Sequence, residues 1–280
     1  MAIQMKIGVA LLGGSFMPEF KGGAAPAAES AFDRLVYGYR LAMEMGYDYI
    51  EATAGEILAL TEEELEELAG MVKTGEFVLR YANSFVRPDL KICTESKEVL
   101  EDYAREVIRR VALLGVGVLV FGSGVARKHP ESMTPDEGMR KFIEFLGICA
   151  KAAKKYSIKI ALEPLNHTET NMLNSVAEGA ALVHWLDSLE IVLLADAFHM
   201  VIEGETADVI LDNEDIITHL HISEAPGRVY PGKFGGAYLI KFGKDLRNAG
   251  FCKNATVECC FDDYKNEGPE ALRFVKEKML

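Results

Sequence analysis

Eight short apolar runs are spaced along the whole sequence, and each is followed by a helix-patterned stretch. That alternation constrains the chain more than any other feature. The runs cover residues 5–12, 47–50, 77–81, 118–121, 158–162, 191–195, 216–222 and 255–259. Their β-branched content and their Gly, Pro or polar flanks mark them as buried strands. The helices between them carry start and stop signals. Thr61 and Glu64 form a capping box, in which each side chain satisfies a free N–H at the helix start. Ser96 opens a long helix that Gly115 and Gly117 end. Pro135 follows Thr134 at the favoured first helical position. Helical spacing is also read over 29–45, 176–189, 238–249 and 271–278. Strands that alternate with helices build a parallel sheet. A closed (β/α)8 barrel usually takes about 250 residues, and the chain has 280. An open doubly wound sheet would leave two bare edges, and the chain carries no device to protect them. The expected fold is a single-domain (β/α)8 TIM barrel over residues 1–280.

Charge narrows the partners. Forty-three acidic against 30 basic residues give a net charge of −13. A nucleic-acid duplex needs a basic face, and an anionic membrane surface disfavours the same balance. No run reaches the ~20 apolar residues of a membrane span. The apolar run after Lys6 is short and lacks a small-residue cleavage site, so it reads as the first strand and not as a signal peptide. The five cysteines have no CxxC pair. They read as reduced thiols of a cytoplasmic protein.

In α/β barrels the chemistry gathers where strands end. The strand at 158–162 delivers Glu163, and Pro164, which has no N–H, stops the ladder. A polar loop with Asn166, His167, Glu169, Asn171 and Asn174 follows. The next strands present Asp196, His221 and Glu258. Each has an ordinary alternative: Glu163 as a helix cap or lysine partner, Asp196 as an N-cap, and His219 with His221 as hydrogen-bonded core lining. Glu258 is the hardest to explain away, because an acid inside an apolar strand is unfavourable unless paired. His184 and Trp185 read as helix packing residues, and His129 as a solvated loop residue after a basic pair. Three carboxylates converging in a partly dry mouth repel one another unless a cation joins them or they protonate. Oxygen-rich ligation with one histidine suits Mn2+, Mg2+ or Co2+, with Zn2+ as an alternative.

Four motifs stand in order: Glu163-Pro-Leu-Asn with Glu169, Asp196-Ala-Phe-His199, His219-Leu-His221 with Arg228, and Thr256-Val-Glu258. Together they resemble the sugar isomerase/epimerase superfamily of xylose-isomerase-like TIM barrels, and within it the D-tagatose and D-psicose 3-epimerase group. The resemblance implies that Glu163, Asp196, His221 and Glu258 ligate a divalent metal, expected to be Mn2+. Glu163 and Glu258 would also act as the acid/base pair on opposite faces of a sugar. Glu169, His199 and Arg228 would hold substrate hydroxyls and the carbonyl end. It further implies a homodimer or homotetramer. Two features depart from that pattern: His167 stands where relatives carry arginine, and the interval from His221 to Arg228 is one residue longer.

The implied chemistry is proton transfer at the carbon beside a ketone. Loss of that proton leaves an enediolate, whose charge a Lewis-acidic metal would hold. One carboxylate takes the proton and the other returns one to the opposite face. Gly13-Gly14 and Gly22-Gly23 mark an expected lid over the mouth. A dehydratase of a keto-inositol or keto-sugar would use the same site, and an aldose–ketose isomerase is a third outcome. A sugar phosphate would need an anion cradle, for which Gly232–Gly236 is the expected place. A nuclease of the endonuclease IV type shares the barrel but is disfavoured by the charge. A non-catalytic sugar-binding relative would have lost a ligand, and none is lost.

Overall fold

The computed structural model describes residues 5–11 and 30–279. The expected lid glycines lie outside those residues. Eight parallel strands close into a barrel in sequence order. They are β1 (Ile7–Leu11), β2 (Tyr49–Thr53), β3 (Leu79–Asn83), β4 (Val118–Phe121), β5 (Lys159–Leu162), β6 (Ile191–Asp196), β7 (Ile217–Ile222) and β8 (Ala255–Val257). The ring closes where Gly8 of β1 pairs with Thr256 of β8. Helices surround it, including Ala31–Glu44, Glu62–Thr74, Lys97–Leu113, Pro135–Tyr156, Val176–Leu186, Ala237–Asn248 and Tyr264–Phe274. Among the described residues, no helix is long and apolar enough to cross a membrane.

The start signals act as read. Thr61 with Glu64 and Thr134 with Glu137 both form complete capping boxes, and Ser96 accepts from the Val99 N–H. The element limits shift in two places that matter. β2 begins two residues later than the run at 47–50 and continues to Thr53, so Glu51 sits inside the strand and not beyond its end. The last helix begins at Tyr264 and tolerates Pro269 inside it. There Gly268 packs against Met45 and Tyr264, where a Cβ would not fit. Trp185 corrects a sequence reading: it is 69% exposed and does not pack.

The apolar core lies mainly between the strands and the surrounding helices. Inside the barrel, side chains of alternate strand positions meet, and this interior is divided. Val118, Val120, Ala161, Val192 and Leu194 form a separate apolar cluster on β4 to β6. Tyr49, Glu51, Tyr81, Asn83, His219, His221 and Thr256 give β2, β3, β7 and β8 a buried polar lining. The functional candidates stand at the ends of β5 to β8, across both halves.

Candidate active site

Glu163, Asp196, His221 and Glu258 are all buried, and one ligand atom from each lies within 4.8 Å of the others. Barrel register brings them together: Asp196 is level with His221, and His221 with Thr256, two residues before Glu258. His221 Nδ1 is 3.0 Å from Glu163 Oε1 and 3.0 Å from Glu258 Oε2. Gly122 of the β4 end makes room for this approach, since a Cβ there would collide with Glu163 Oε2. Asp196 does what its ordinary alternative requires and more. Its Oδ1 accepts the Phe198 N–H at 2.8 Å, and its Oδ2 accepts from Arg228 Nη2 at 2.8 Å.

Arg228 reaches into the acid cluster from the loop after β7. Its Nη2 also donates to Glu258 Oε2, and its Cζ lies 5.2 Å from the centre of the Phe198 ring. His199 Nδ1 accepts the Asn166 backbone N–H at 3.1 Å. Its Nε2 lies 3.6 Å from Asp196 Oδ2 and 3.1 Å from Arg228 Nη1. Glu169 is half-exposed at the rim, with Oε1 3.8 Å from Arg228 Nη1 and 4.0 Å from His199 Nδ1. All seven candidate residues therefore border one mouth. His167 turns away to Glu203, with Nδ1 2.8 Å from its carboxylate.

Three contributors escaped the sequence reading. Glu51 Oε1 sits 2.9 Å from His221 Nε2, and its Oε2 sits 3.4 Å from His219 Nε2, on the side of His221 away from the acid cluster. Both Glu51 and His221 are fully buried. His219 also stacks on Tyr81, with ring centres 3.8 Å apart. A carboxylate on Nε2 leaves Nδ1 to face Glu163 and Glu258, which fixes the orientation of the ring. Glu51 directly follows the apolar run at 47–50, and a strand a few residues longer would have taken it in. Asn83 Nδ2 donates to Glu258 Oε1 at 3.3 Å. Arg127, half of the basic pair before His129, is fully buried. It donates to the carbonyls of Glu163 (2.9 Å), Leu173 (3.2 Å) and Phe121 (3.3 Å), which pins the end of β5.

These neighbours push the two glutamates apart. Burial and the nearby Glu258 raise the Glu163 carboxyl above its ordinary range, despite His221. For Glu258, burial acts upward too, but the Arg228 guanidinium and the His221 imidazole outweigh it and hold the carboxyl far down. His221 is held well above its ordinary value: burial opposes this, and Glu258, Glu51 and Glu163 prevail. Burial also opposes ionisation of Glu51, yet His221 and His219 bring its carboxyl to about 2.

The donor set fits a divalent cation. Three carboxylates and one oriented imidazole converge on a small volume, and Arg228 already supplies positive charge there. Such a set suits a hard or borderline metal. The expected anion cradle is a different matter. The N–H groups of Gly232, Phe234 and Gly236 all point at the carboxylate of Glu224, so the chain fills its own cradle.

Known proteins resemble this chain in sequence and in fold. D-psicose 3-epimerase of Enterocloster bolteae is 26% identical over 224 residues, covering 76% of this chain and 73% of the relative. Inosose isomerase of Halalkalibacterium halodurans is 25% identical over 248 residues, covering 83% and 85%. The crystal structure of D-psicose 3-epimerase from Clostridium cellulolyticum with D-tagatose superposes with a TM-score of 0.79 at 18% identity, over 98% of this chain and 99% of that one. At that identity the superposition speaks for the fold alone. Residues 39–278 match the family described as xylose isomerase-like TIM barrel. The chain belongs to that family.

Proposed function

We propose that this chain is a divalent-metal-dependent epimerase of an unphosphorylated ketose, moving a proton at the carbon beside the carbonyl. One observation carries the reading. Glu163 and Glu258 approach the same His221 Nδ1 from β5 and β8 with opposite proton affinities. A pair of titratable groups driven apart in this way is how a site assigns an acid and a base. Glu258 takes the base role, because N–H donors from Asn83 and Arg228 on its carboxylate favour the ionised form. Glu163 takes the acid role. The base removes the proton from one face of the carbon, and the acid delivers one to the opposite face, which inverts that centre. Afterwards Glu258 holds the proton and Glu163 is ionised, so exchange with solvent resets the pair.

Glu163, Asp196, His221 through Nδ1, and Glu258 would hold the metal, for which Mn2+ is proposed. When bound, it supplies Lewis-acid stabilisation of negative charge on the substrate oxygens. Arg228 offers N–H donors to the carbonyl end with His199 beside it, and Glu169 at the rim accepts from a hydroxyl. A neutral sugar is favoured because the amides of Gly232, Phe234 and Gly236 are already taken by Glu224. The likeness to an inosose isomerase supports a second reading, in which the substrate is a keto-inositol.

The test is NMR of the Mn2+-loaded protein in D2O with free ketoses and keto-inositols. Deuterium beside the carbonyl with a new epimer supports the proposal. Exchange with loss of a hydroxyl makes the enzyme a dehydratase. Absence of exchange with every free substrate refutes the reading.

A further inference from the structure

The segment after β7 closes on itself around one buried carboxylate. Glu224 is 7% exposed. Its Oε2 accepts the N–H groups of Gly232 at 2.8 Å and Phe234 at 3.2 Å, and its Oε1 accepts that of Gly236 at 2.8 Å. Its backbone pairs in both directions with Val229, at 2.9 and 3.0 Å. The result is a ring from Glu224 to Gly236, tied at both ends by the same residue. The turn that aims these amides inward depends on glycine. Gly232 and Gly236 have φ of 96° and 60°, and the Phe274 ring lies where a Cβ on either would stand.

Arg228 belongs to this ring. It adopts a φ of 53°, strained for a residue with a side chain. Its carbonyl accepts the Cys260 N–H at 2.8 Å, and its guanidinium reaches Asp196 and Glu258. A strained residue persists only where its surroundings over-determine it. On the outer side the loop is also tied by Lys233 to Asp262 and Glu267. Asp262 is 86% exposed, and ion pairs of that kind contribute little.

We propose that Glu224 is a positioning residue: its carboxylate organises the 225–236 loop and thereby fixes Arg228 over Asp196 and Glu258. Both carboxylate oxygens are used as acceptors. An amide in their place would turn one of them into a donor facing N–H groups. The functional half rests on the reading of Arg228 as a group that holds substrate. The structural half does not.

The experiment compares wild type, Glu224→Gln, Arg228→Met and the double variant, all Mn2+-loaded and full length. Hydrogen exchange should quicken in Glu224→Gln over 225–236 and at the Cys260 amide, whose acceptor is the Arg228 carbonyl, and not elsewhere. Small displacements of a positioning group reach on the order of a hundredfold in rate, so kcat/KM should fall by about that factor. In the Arg228→Met background, Glu224→Gln should change kcat/KM by less than about twofold, because the effect passes through a side chain already removed. Additive losses would overturn the proposal, as would unchanged exchange in the loop. Should Glu224→Gln fail to fold, Glu224→Asp keeps the charge but falls one methylene short, and the same exchange pattern and cycle are expected. A wild type inert to every free ketose would sink the epimerase reading, and the exchange data would still decide whether Glu224 holds Arg228.

Discussion

Replacing Glu51 by glutamine keeps the shape of the side chain and removes one buried charge. Its oxygens lie 2.9 Å from His221 Nε2 and 3.4 Å from His219 Nε2, and no part of it reaches solvent. The carboxyl is brought from 4.5 to about 2, against burial, by the two imidazoles. A shift of that size corresponds to roughly 3 kcal/mol of folding stability in the metal-free protein. The sign follows from the depressed value. The stabilisation is present above the unfolded carboxyl's pKa and is lost as pH falls through about 2. The gap in melting temperature between wild type and Glu51→Gln, both chelator-treated, should therefore be wide at pH 7 and shrink below about pH 4.5. Mn2+ affinity should fall as well. Removing an outer carboxylate from a ligating histidine typically weakens binding 10- to 100-fold, about 1.4–2.8 kcal/mol. Calorimetric titration at pH 7 reads that term. A Glu51→Gln protein with wild-type Mn2+ affinity and a pH-independent stability gap would refute the reasoning, leaving Glu51 as filling for the barrel centre.

Further outcomes follow from the same geometry. Glu258→Gln should abolish deuterium exchange into substrate while leaving the circular dichroism spectrum unchanged, and an active Glu258→Gln protein would remove the base assignment. Gly122→Ala should push the Glu163 carboxylate aside, lowering Mn2+ affinity and turnover together at little loss of melting temperature. Arg127→Met should be destabilising, by about 1–3 kcal/mol, because the buried Glu163 carbonyl loses its donor while those of Phe121 and Leu173 keep a backbone N–H; urea titration measures it. In metal-free protein the carboxylates around His221 hold its imidazole well above its ordinary value against burial, so Mn2+ binding should release a proton, seen as a binding enthalpy that varies with the buffer's ionisation enthalpy.

The barrel was legible because its signals are local. Capping at Thr61, Ser96 and Thr134 and the turn residues around each apolar run set the order of elements without any long-range knowledge. The convergence of Glu163, Asp196, His221 and Glu258 was legible for a related reason: each lies at the end of a strand, and a closed parallel barrel sends all strand ends to one mouth. Glu51 was missed through a boundary error, since ending β2 at Ile50 placed the acid outside it. Arg127 and Lys128 look alike as a basic pair, but the short helix Gly124–Arg127 turns one inward and the other outward. The Glu224 ring was invisible for a deeper reason. Gly232–Gly236 did look like an anion cradle, and pattern alone gives no means of knowing that the anion is eight to twelve residues upstream. Trp185 failed in the opposite direction, because hydrophobicity predicts burial only where a partner surface exists.

Charge bookkeeping ties the two outlying glutamates to one problem. Four buried carboxylates, Glu51, Glu163, Asp196 and Glu258, face two cations, Arg228 and protonated His221. Buried charge left unpaired is strongly unfavourable, and the shortfall falls on Glu163, whose carboxyl holds its proton more tightly than usual. A divalent ion among these groups would supply the missing charge and would take the place of the His221 proton. Arg228 would then no longer be needed by both Asp196 and Glu258, and its guanidinium could serve a substrate oxygen. For that exchange to be productive, neither His221 nor Arg228 can drift while the charge is redistributed. Glu51 braces His221 from within the barrel, and Glu224 braces Arg228 from the loop. Neither meets substrate in this reading, and losing either should loosen the mouth while leaving all four ligands in the sequence. A variant with an intact ligand set and poor turnover is therefore the signature to look for at both positions.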